Sequence, residues 1–187
     1  MIFPIPCVIF AGGRSSRMGQ DKSLLPFRGH KSLTHFQYAR LLPLFESLYI
    51  STKIDKFGKA FPLILDDYKD VFSPMVALAS VLEAFKDTYI FCLSVDAPFV
   101  EKEQIQKLWN AALETKAKAI IPQDANTKHP LCGLYHSSLA KKAREFATTQ
   151  NHKLSFLLEK NTTCFVDFED SAPFANLNHF SEYEAAL

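Results

Sequence analysis

Short, wholly apolar runs alternate along this chain with stretches in which apolar residues return every third or fourth position. A run apolar at every position is the pattern of a strand buried on both faces, whereas the longer period marks one face of a helix. On this basis residues 7–11, 47–52, 62–65, 88–95, 117–122 and 163–168 read as strands, and 131–135 as a strand that follows a loop rather than a helix. Helices are expected at 33–45, where Leu33, Phe36, Gln37, Arg40, Leu41 and Leu44 share a face, and at 75–85, where Val76, Ala79, Leu82 and Phe85 form a stripe. Further helices are expected at 104–113, 138–146, 153–158 and 182–187.

Strands alternating with helices imply an α/β layered domain around a mostly parallel sheet, and the break in alternation after residue 122 implies a mixed one. No internal repeat, low-complexity tract or linker interrupts the 187 residues, so residues 1–187 read as a single domain. In such sheets ligands gather at the carboxyl ends of the strands. Two segments meet that description sharply, the one after Ala11 and the one after Val95.

A hydrophobic content of 48% suffices for a core at this length. The net charge of +1 favours neither a nucleic acid nor a membrane surface as partner. Its distribution says more: Arg14, Arg17, Lys22, Arg28, Lys31 and Arg40 share a stretch whose one acid is Asp21. That suits a small anionic ligand, with a solvated face as the plain alternative. Cys7, Cys92, Cys132 and Cys164 form no CxxC pair and sit in apolar runs, so they read as buried free thiols of a reducing compartment. The apolar N-terminus has no basic leader region, and no window is apolar enough to span a bilayer. The expected location is the cytoplasm.

Residues 11–22 read Ala-Gly-Gly-Arg-Ser-Ser-Arg-Met-Gly-Gln-Asp-Lys. Gly12 and Gly13 remove two Cβ atoms where a strand ends, letting backbone N–H groups approach an anion or a nucleobase. Ser15, Ser16, Arg17 and Lys22 supply hydroxyls and cations for phosphate oxygens. The segment is not a P-loop, because Gly19 precedes Gln20, and it lacks the Gly-x-Gly of the dinucleotide fingerprint. Asp66 and Asp67 follow a short apolar strand, where a polar loop with a helix cap is the plain reading. Asp96 ends another strand, and its carboxylate there needs a partner, either a helix N-terminus or a hard cation such as Mg²⁺.

The segment Phe10-Ala-Gly-Gly-x-Ser-x-Arg17-Met18-Gly19-x-Asp21-Lys22 resembles the N-terminal signature of the molybdenum cofactor guanylyltransferases, the MobA family. More loosely it resembles the sugar-nucleotide and terpenoid cytidylyltransferases. The resemblance implies a three-layer α/β/α, Rossmann-like nucleotidyltransferase fold with a mostly parallel, mixed central sheet. It implies GTP as substrate, the molybdopterin form of the molybdenum cofactor as acceptor, and Mg²⁺ as cofactor. Molybdenum-cofactor delivery proteins or recipient enzymes would be the protein partners, with no nucleic acid and no membrane.

By the same resemblance Arg17, Lys22 and Asp96 are catalytic, Asp96 holds the metal, and no protein nucleophile is needed. Nucleotide and acceptor contacts fall to Phe10, Ala11, Gly12, Gly13, Lys22, Ser51, Asp66, Asp67, Asp96, Asn176 and Asn178. Asp66, eight residues before Pro74, is the first choice to read guanine and Asp67 the second, because a carboxylate accepts hydrogens from N1–H and the amino group. Ser73 and Ala77 stand where the family usually has glycines, and Ser51-Thr52 where it often has Asn. His129-Pro130-Leu131 is matched in the family, but carries no metal role. A cytidylyltransferase for the same or another phosphorylated acceptor, and a non-catalytic nucleotide-binding protein, remain as alternatives.

Overall fold

In the computed structural model, which describes residues 2–13, 19–66, 73–149 and 152–187, the apolar runs build one seven-stranded sheet. Its strands are β1 (Phe3–Phe10), β2 (Phe45–Thr52), β3 (Leu63–Leu65), β4 (Tyr89–Ser94), β5 (Ala119–Gln123), β6 (Cys132–His136) and β7 (Thr163–Asp167), in the order β3-β2-β1-β4-β6-β5-β7. The pairings β1–β2, β1–β4, β2–β3 and β5–β7 are parallel, and β6 runs antiparallel to both β4 and β5. The sheet is therefore mixed because of one strand, the one expected to follow a loop. Reversing β6 leaves β5 parallel to β4, so the carboxyl ends of β1, β2, β3, β4 and β5 share one edge.

The helices are α1 (Leu33–Leu41), α2 (Pro74–Glu83), α3 (Lys102–Thr115), α4 (Ala140–Ala147), α5 (Leu154–Glu159) and α6 (Phe180–Ala185). Side chains of α1, α3 and α6 join Ile5, Cys7 and Ile9 in a core on one face of the sheet. Side chains of α2, α4 and α5 join Val8 and Phe10 in a core on the other. Alternate residues of β1 thus enter opposite cores, as the pleat requires, and the three layers follow. Each fully buried Leu, Ile or Phe contributes about 1.5–3 kcal/mol relative to exposure, so both faces are strongly held.

The expected helix at 33–45 ends early. Pro43 lacks the N–H that would bond the carbonyl four residues back, so although Leu42 keeps helical backbone α1 stops at Leu41, a single 3₁₀ turn spans Leu42–Leu44, and Phe45 already opens β2. β1 starts earlier than expected, taking in Pro4 and Pro6. Its pairing with β4 begins only at Cys7, and its register with β2 is irregular between Phe3 and Pro6. The prolines therefore sit where few ladder bonds are lost. Cys7, Cys92 and Cys132 are buried free thiols as expected, and burial raises all three, Cys132 to about 12; Cys164 is only half-buried. Among the described residues no helix is long and apolar enough to cross a membrane.

Gly133 in β6 shows why one position admits no side chain. A Cβ there would lie 2.7 Å from the Ile120 carbonyl oxygen and 2.8 Å from Ile121 Cδ1. Its glycine keeps β6 seated between β4 and β5.

Candidate active site

β1 ends at Phe10, where Val95 N–H donates to the Phe10 carbonyl (3.0 Å) and Ala11 N–H donates to Ser51 (2.8 Å). The chain then leaves the sheet as Gly12 and Gly13. Among the described residues, a Cβ on Gly13 would meet nothing within 4 Å. Gly12 and Gly13 line a cleft of about 280 Å³ with Phe10, Lys53, Asp66, Ser73, Pro74, Ala77, Ser94 and Leu131. Six of the residues singled out above for nucleotide contact or for replacing a family glycine, Phe10, Gly12, Gly13, Asp66, Ser73 and Ala77, meet here. Ala11 is buried and contributes its backbone.

Asp66 is 5% exposed, its N–H bonded to the Thr52 carbonyl (3.0 Å) at the end of β2. The helix-cap reading of this region is excluded for Asp66, because Ser73 caps α2 by accepting Met75 N–H (3.1 Å). Ser51 is fully buried, and its hydroxyl faces Asp66 Oδ1 at 3.4 Å, so it acts on the cleft through that carboxylate. Asp67 lies outside the described residues, as do Arg14, Ser15, Ser16 and Arg17.

Asp96 follows β4 in a tight turn. It caps no helix either: Glu101 stands at the start of α3, where its N–H donates to Gln104 Oε1 (3.0 Å). Asp96 instead pairs with Lys22 and accepts from the Ser94 hydroxyl. Lys22 also donates to the Leu177 carbonyl (3.3 Å), and Leu177 N–H donates to the Asp96 carbonyl (2.8 Å). The segment holding Asn176 and Asn178 is thereby laced to both charged groups.

From below, the turn is held by α1. The Gln37 side chain, 0% exposed, donates from Nε2 to the carbonyls of Val95 and Ala97 (3.1 Å each). Arg40 donates to Gln37 Oε1 (2.6 Å) and to the Val100 carbonyl (2.5 Å), and burial lowers its guanidinium to about 10, still charged at neutral pH.

The early run of basic residues therefore divides in space. Lys22 enters the site, Arg40 braces the Asp96 turn from beneath, and Arg28 binds the Ala186 carbonyl (2.8 Å) near the last helix. Two cations that the sequence reading missed join in their stead, both from the loop after β2. Lys53 is 8% exposed and its ammonium lies 3.7 Å from Asp66 Oδ2. Lys56 donates to the Ala11 carbonyl (2.7 Å) and to Asp21 Oδ2 (2.5 Å). The available signal was position: Lys53 is the first residue beyond a strand adjacent to β1, on the ligand-binding edge.

A second cleft of about 260 Å³ opens on the other side of the Asp96 turn, lined by Ala97, Thr127, Lys128, His129, Pro130, Leu131, Cys132, Phe174 and Asn176. Leu131 lines both clefts. His129, given no role above, stacks on Phe174 at 4.7 Å between ring centres and bonds Asp124 at 2.9 Å. The Asp124 carboxyl is held below its usual range, first by the Asn126 N–H and then by His129. The site thus comprises a cleft holding the Asp66 carboxylate, a cation–carboxylate pair on the turn whose Ser94 lines that cleft, and a second polar cleft lined by Ala97 of the same turn.

Residues 7–164 match the model of the MobA-like NTP transferase domain. A molybdenum cofactor guanylyltransferase from Campylobacter jejuni is 45% identical over 179 residues, covering 95% of this chain and 93% of that protein. One from Helicobacter pylori is 33% identical over 189 residues, covering 98% and 92%. The fold is similar to the crystal structure of molybdopterin-guanine dinucleotide biosynthesis protein A from Archaeoglobus fulgidus, with a TM-score of 0.84 at 19% identity over 97% of this chain and 96% of that one.

Proposed function

This chain belongs to the MobA-like NTP transferase family, and on that premise we propose that it transfers GMP from GTP to molybdopterin, giving molybdopterin guanine dinucleotide and pyrophosphate. The observation that carries the reading is that the turn bearing Asp96, paired with Lys22, reaches two clefts: Ser94, whose hydroxyl donates to Asp96, lines one together with Gly12, Gly13 and Asp66, and Ala97, the residue after Asp96, lines the other with Lys128, His129 and Asn176. Guanine takes the first cleft, with Asp66 accepting from N1–H and the 2-amino group. The acceptor takes the second, and its terminal phosphate approaches past Asp96.

In the reaction an oxygen of the acceptor phosphate attacks the α-phosphorus of GTP. A P–O bond forms, the bond to the bridging oxygen breaks, and pyrophosphate leaves with the electron pair. The nucleophile is already ionised, so no general base is required. Lys22, Arg17 and the backbone at Gly12 and Gly13 hold the triphosphate in line, and positioning together with charge neutralisation supplies the acceleration.

The fold family implies Mg²⁺. Asp96 offers a hard carboxylate oxygen, and Mg²⁺ is commonly held by one or two carboxylates with the rest of its shell from phosphates and water. The donor set fits, and among the described residues no group of three or more His, Cys, Asp or Glu forms a protein cage. When bound, the ion spreads negative charge on the phosphate oxygens. Lys22, paired with Asp96 in the structure, would then donate to a phosphate instead. The free cysteines support a reducing compartment, the cytoplasm, and proteins that deliver or receive the cofactor are the natural partners of the second cleft.

The reading is tested by incubating the protein with Mg²⁺, molybdopterin and each nucleoside triphosphate in turn, and measuring pyrophosphate. Release with GTP above CTP, ATP and UTP is expected. Release with CTP alone would make this a cytidylyltransferase, and binding of GTP without release would make it a non-catalytic binder.

A further inference from the structure

We propose that Lys53 reads the O6 atom of guanine, so that base choice rests on the Lys53–Asp66 pair and not on Asp66 alone. The inference rests on the GTP reading above and adds to it a specificity-determining residue.

Both partners line the same cleft, and they are 8% and 5% exposed. Their 3.7 Å separation brings the charges together within a cleft otherwise walled largely by Phe10, Pro74, Ala77 and Leu131. A buried ion pair is a weak source of stability, because removing two charges from water offsets most of their attraction. Its retention at a ligand cleft is better explained by a ligand whose edge matches it.

The pairing edge of guanine carries, side by side, one acceptor at O6 and two donors at N1–H and the 2-amino group. A carboxylate only accepts and an ammonium only donates, so Asp66 and Lys53 adjacent to each other mirror that edge atom for atom. Uracil, with acceptors on both sides of a single donor, leaves one of its carbonyls facing a carboxylate. Cytosine and adenine each bring only one amino donor next to a ring acceptor.

The positions of the cations divide the labour between base and phosphate. Lys22 pairs with Asp96, and Lys56 is engaged with Ala11 and Asp21. Lys53 is the cation placed with Asp66. The Ser51 hydroxyl, 3.4 Å from Oδ1, helps orient the carboxylate, and the Lys53 ammonium lies 3.7 Å from its Oδ2.

The test uses the intact protein with Mg²⁺ and three ligands: GTP, inosine triphosphate, which lacks the 2-amino group, and 6-thio-GTP, whose sulfur is a poor acceptor. Affinities are measured by titration calorimetry for wild type, Lys53→Met, Lys53→Gln and Asp66→Asn. Wild type should prefer GTP over 6-thio-GTP by about tenfold or more, the worth of a hydrogen bond to a charged donor. Lys53→Met should bring that ratio near one while keeping the preference for GTP over inosine triphosphate. Lys53→Gln, which retains an N–H donor, should restore part of the ratio, and Asp66→Asn should lose the inosine discrimination instead.

Equal affinity of wild type for GTP and 6-thio-GTP overturns the proposal without any variant. So does a Lys53→Met protein that weakens every triphosphate alike, which would make Lys53 a phosphate ligand. A wild type that binds CTP or ATP as well as GTP refutes the guanylyl reading itself, a separate result.

Discussion

The Lys56 ammonium joins the two ends of the glycine-rich segment, donating to the Ala11 carbonyl at 2.7 Å and to Asp21 Oδ2 at 2.5 Å. Asp21 is fixed in turn, since its Oδ1 accepts from Ser23 N–H (3.1 Å) and from the Ser23 hydroxyl (2.6 Å) at the turn that carries Lys22. One side chain from the β2–β3 loop therefore ties Ala11 to Asp21. Holding Ala11 and Asp21 together in advance lowers the ordering cost of binding.

Lys56→Met should accordingly weaken GTP binding by about tenfold, a loss of ~1.4 kcal/mol, while changing global stability by less than about 1 kcal/mol, as for other partly exposed ion pairs. Calorimetric titration beside a melting curve checks both. Unchanged affinity would show that other contacts hold Ala11 and Asp21 in place.

Asp96→Asn keeps the shape of the side chain and removes its charge. Turnover should fall by ~10²-fold or more, given ~1.4 kcal/mol per decade, with a raised Mg²⁺ requirement because an amide oxygen is a poorer ligand for a hard cation. The ion pair with Lys22 means the carboxylate is compensated in the resting protein, so a small stability loss is expected. Near-normal pyrophosphate release at saturating Mg²⁺ would remove Asp96 from the mechanism.

Gln37 supports that same turn without touching the ligand clefts. Gln37→Leu strands the carbonyls of Val95 and Ala97 and loosens Arg40, so a stability loss of about 1–3 kcal/mol is expected from buried unsatisfied groups. The activity effect should exceed what the folded fraction explains and should appear in kcat more than in the KM for GTP, because the base cleft is left intact. Kinetics measured well below the melting transition separate the two.

Gly133→Ala places a methyl group 2.7 Å from the Ile120 carbonyl oxygen. Overpacking of this kind costs about 1–3 kcal/mol. Denaturant unfolding should show the loss, and a stability equal to wild type would mean that β5 and β6 can part without cost.

The chain's pattern alone determined the layered α/β architecture, because an apolar run with no polar face can only be a doubly covered strand, and the stripes between such runs can only face it. It likewise marked Gly12, Gly13, Asp66 and Asp96, since each stands where a strand stops and backbone or charge must find a partner. It could not bound α1, whose apolar face continues through Leu44 although Pro43 has already ended the helix.

Tertiary structure decided which charges cooperate. In sequence Arg28, Lys31 and Arg40 are neighbours of Lys22, yet Arg40 lies beneath the Asp96 turn and Arg28 at the last helix, whereas Lys53 and Lys56, remote in sequence, complete the site. The reason is physical: hydrophobic periodicity fixes which way a segment faces, but an ion pair or a hydrogen bond depends on a few ångströms between segments 13 to 74 residues apart. Only the order of strands in the sheet sets that distance, and only the folded chain brings Lys22 to Asp96 and Lys53 to Asp66.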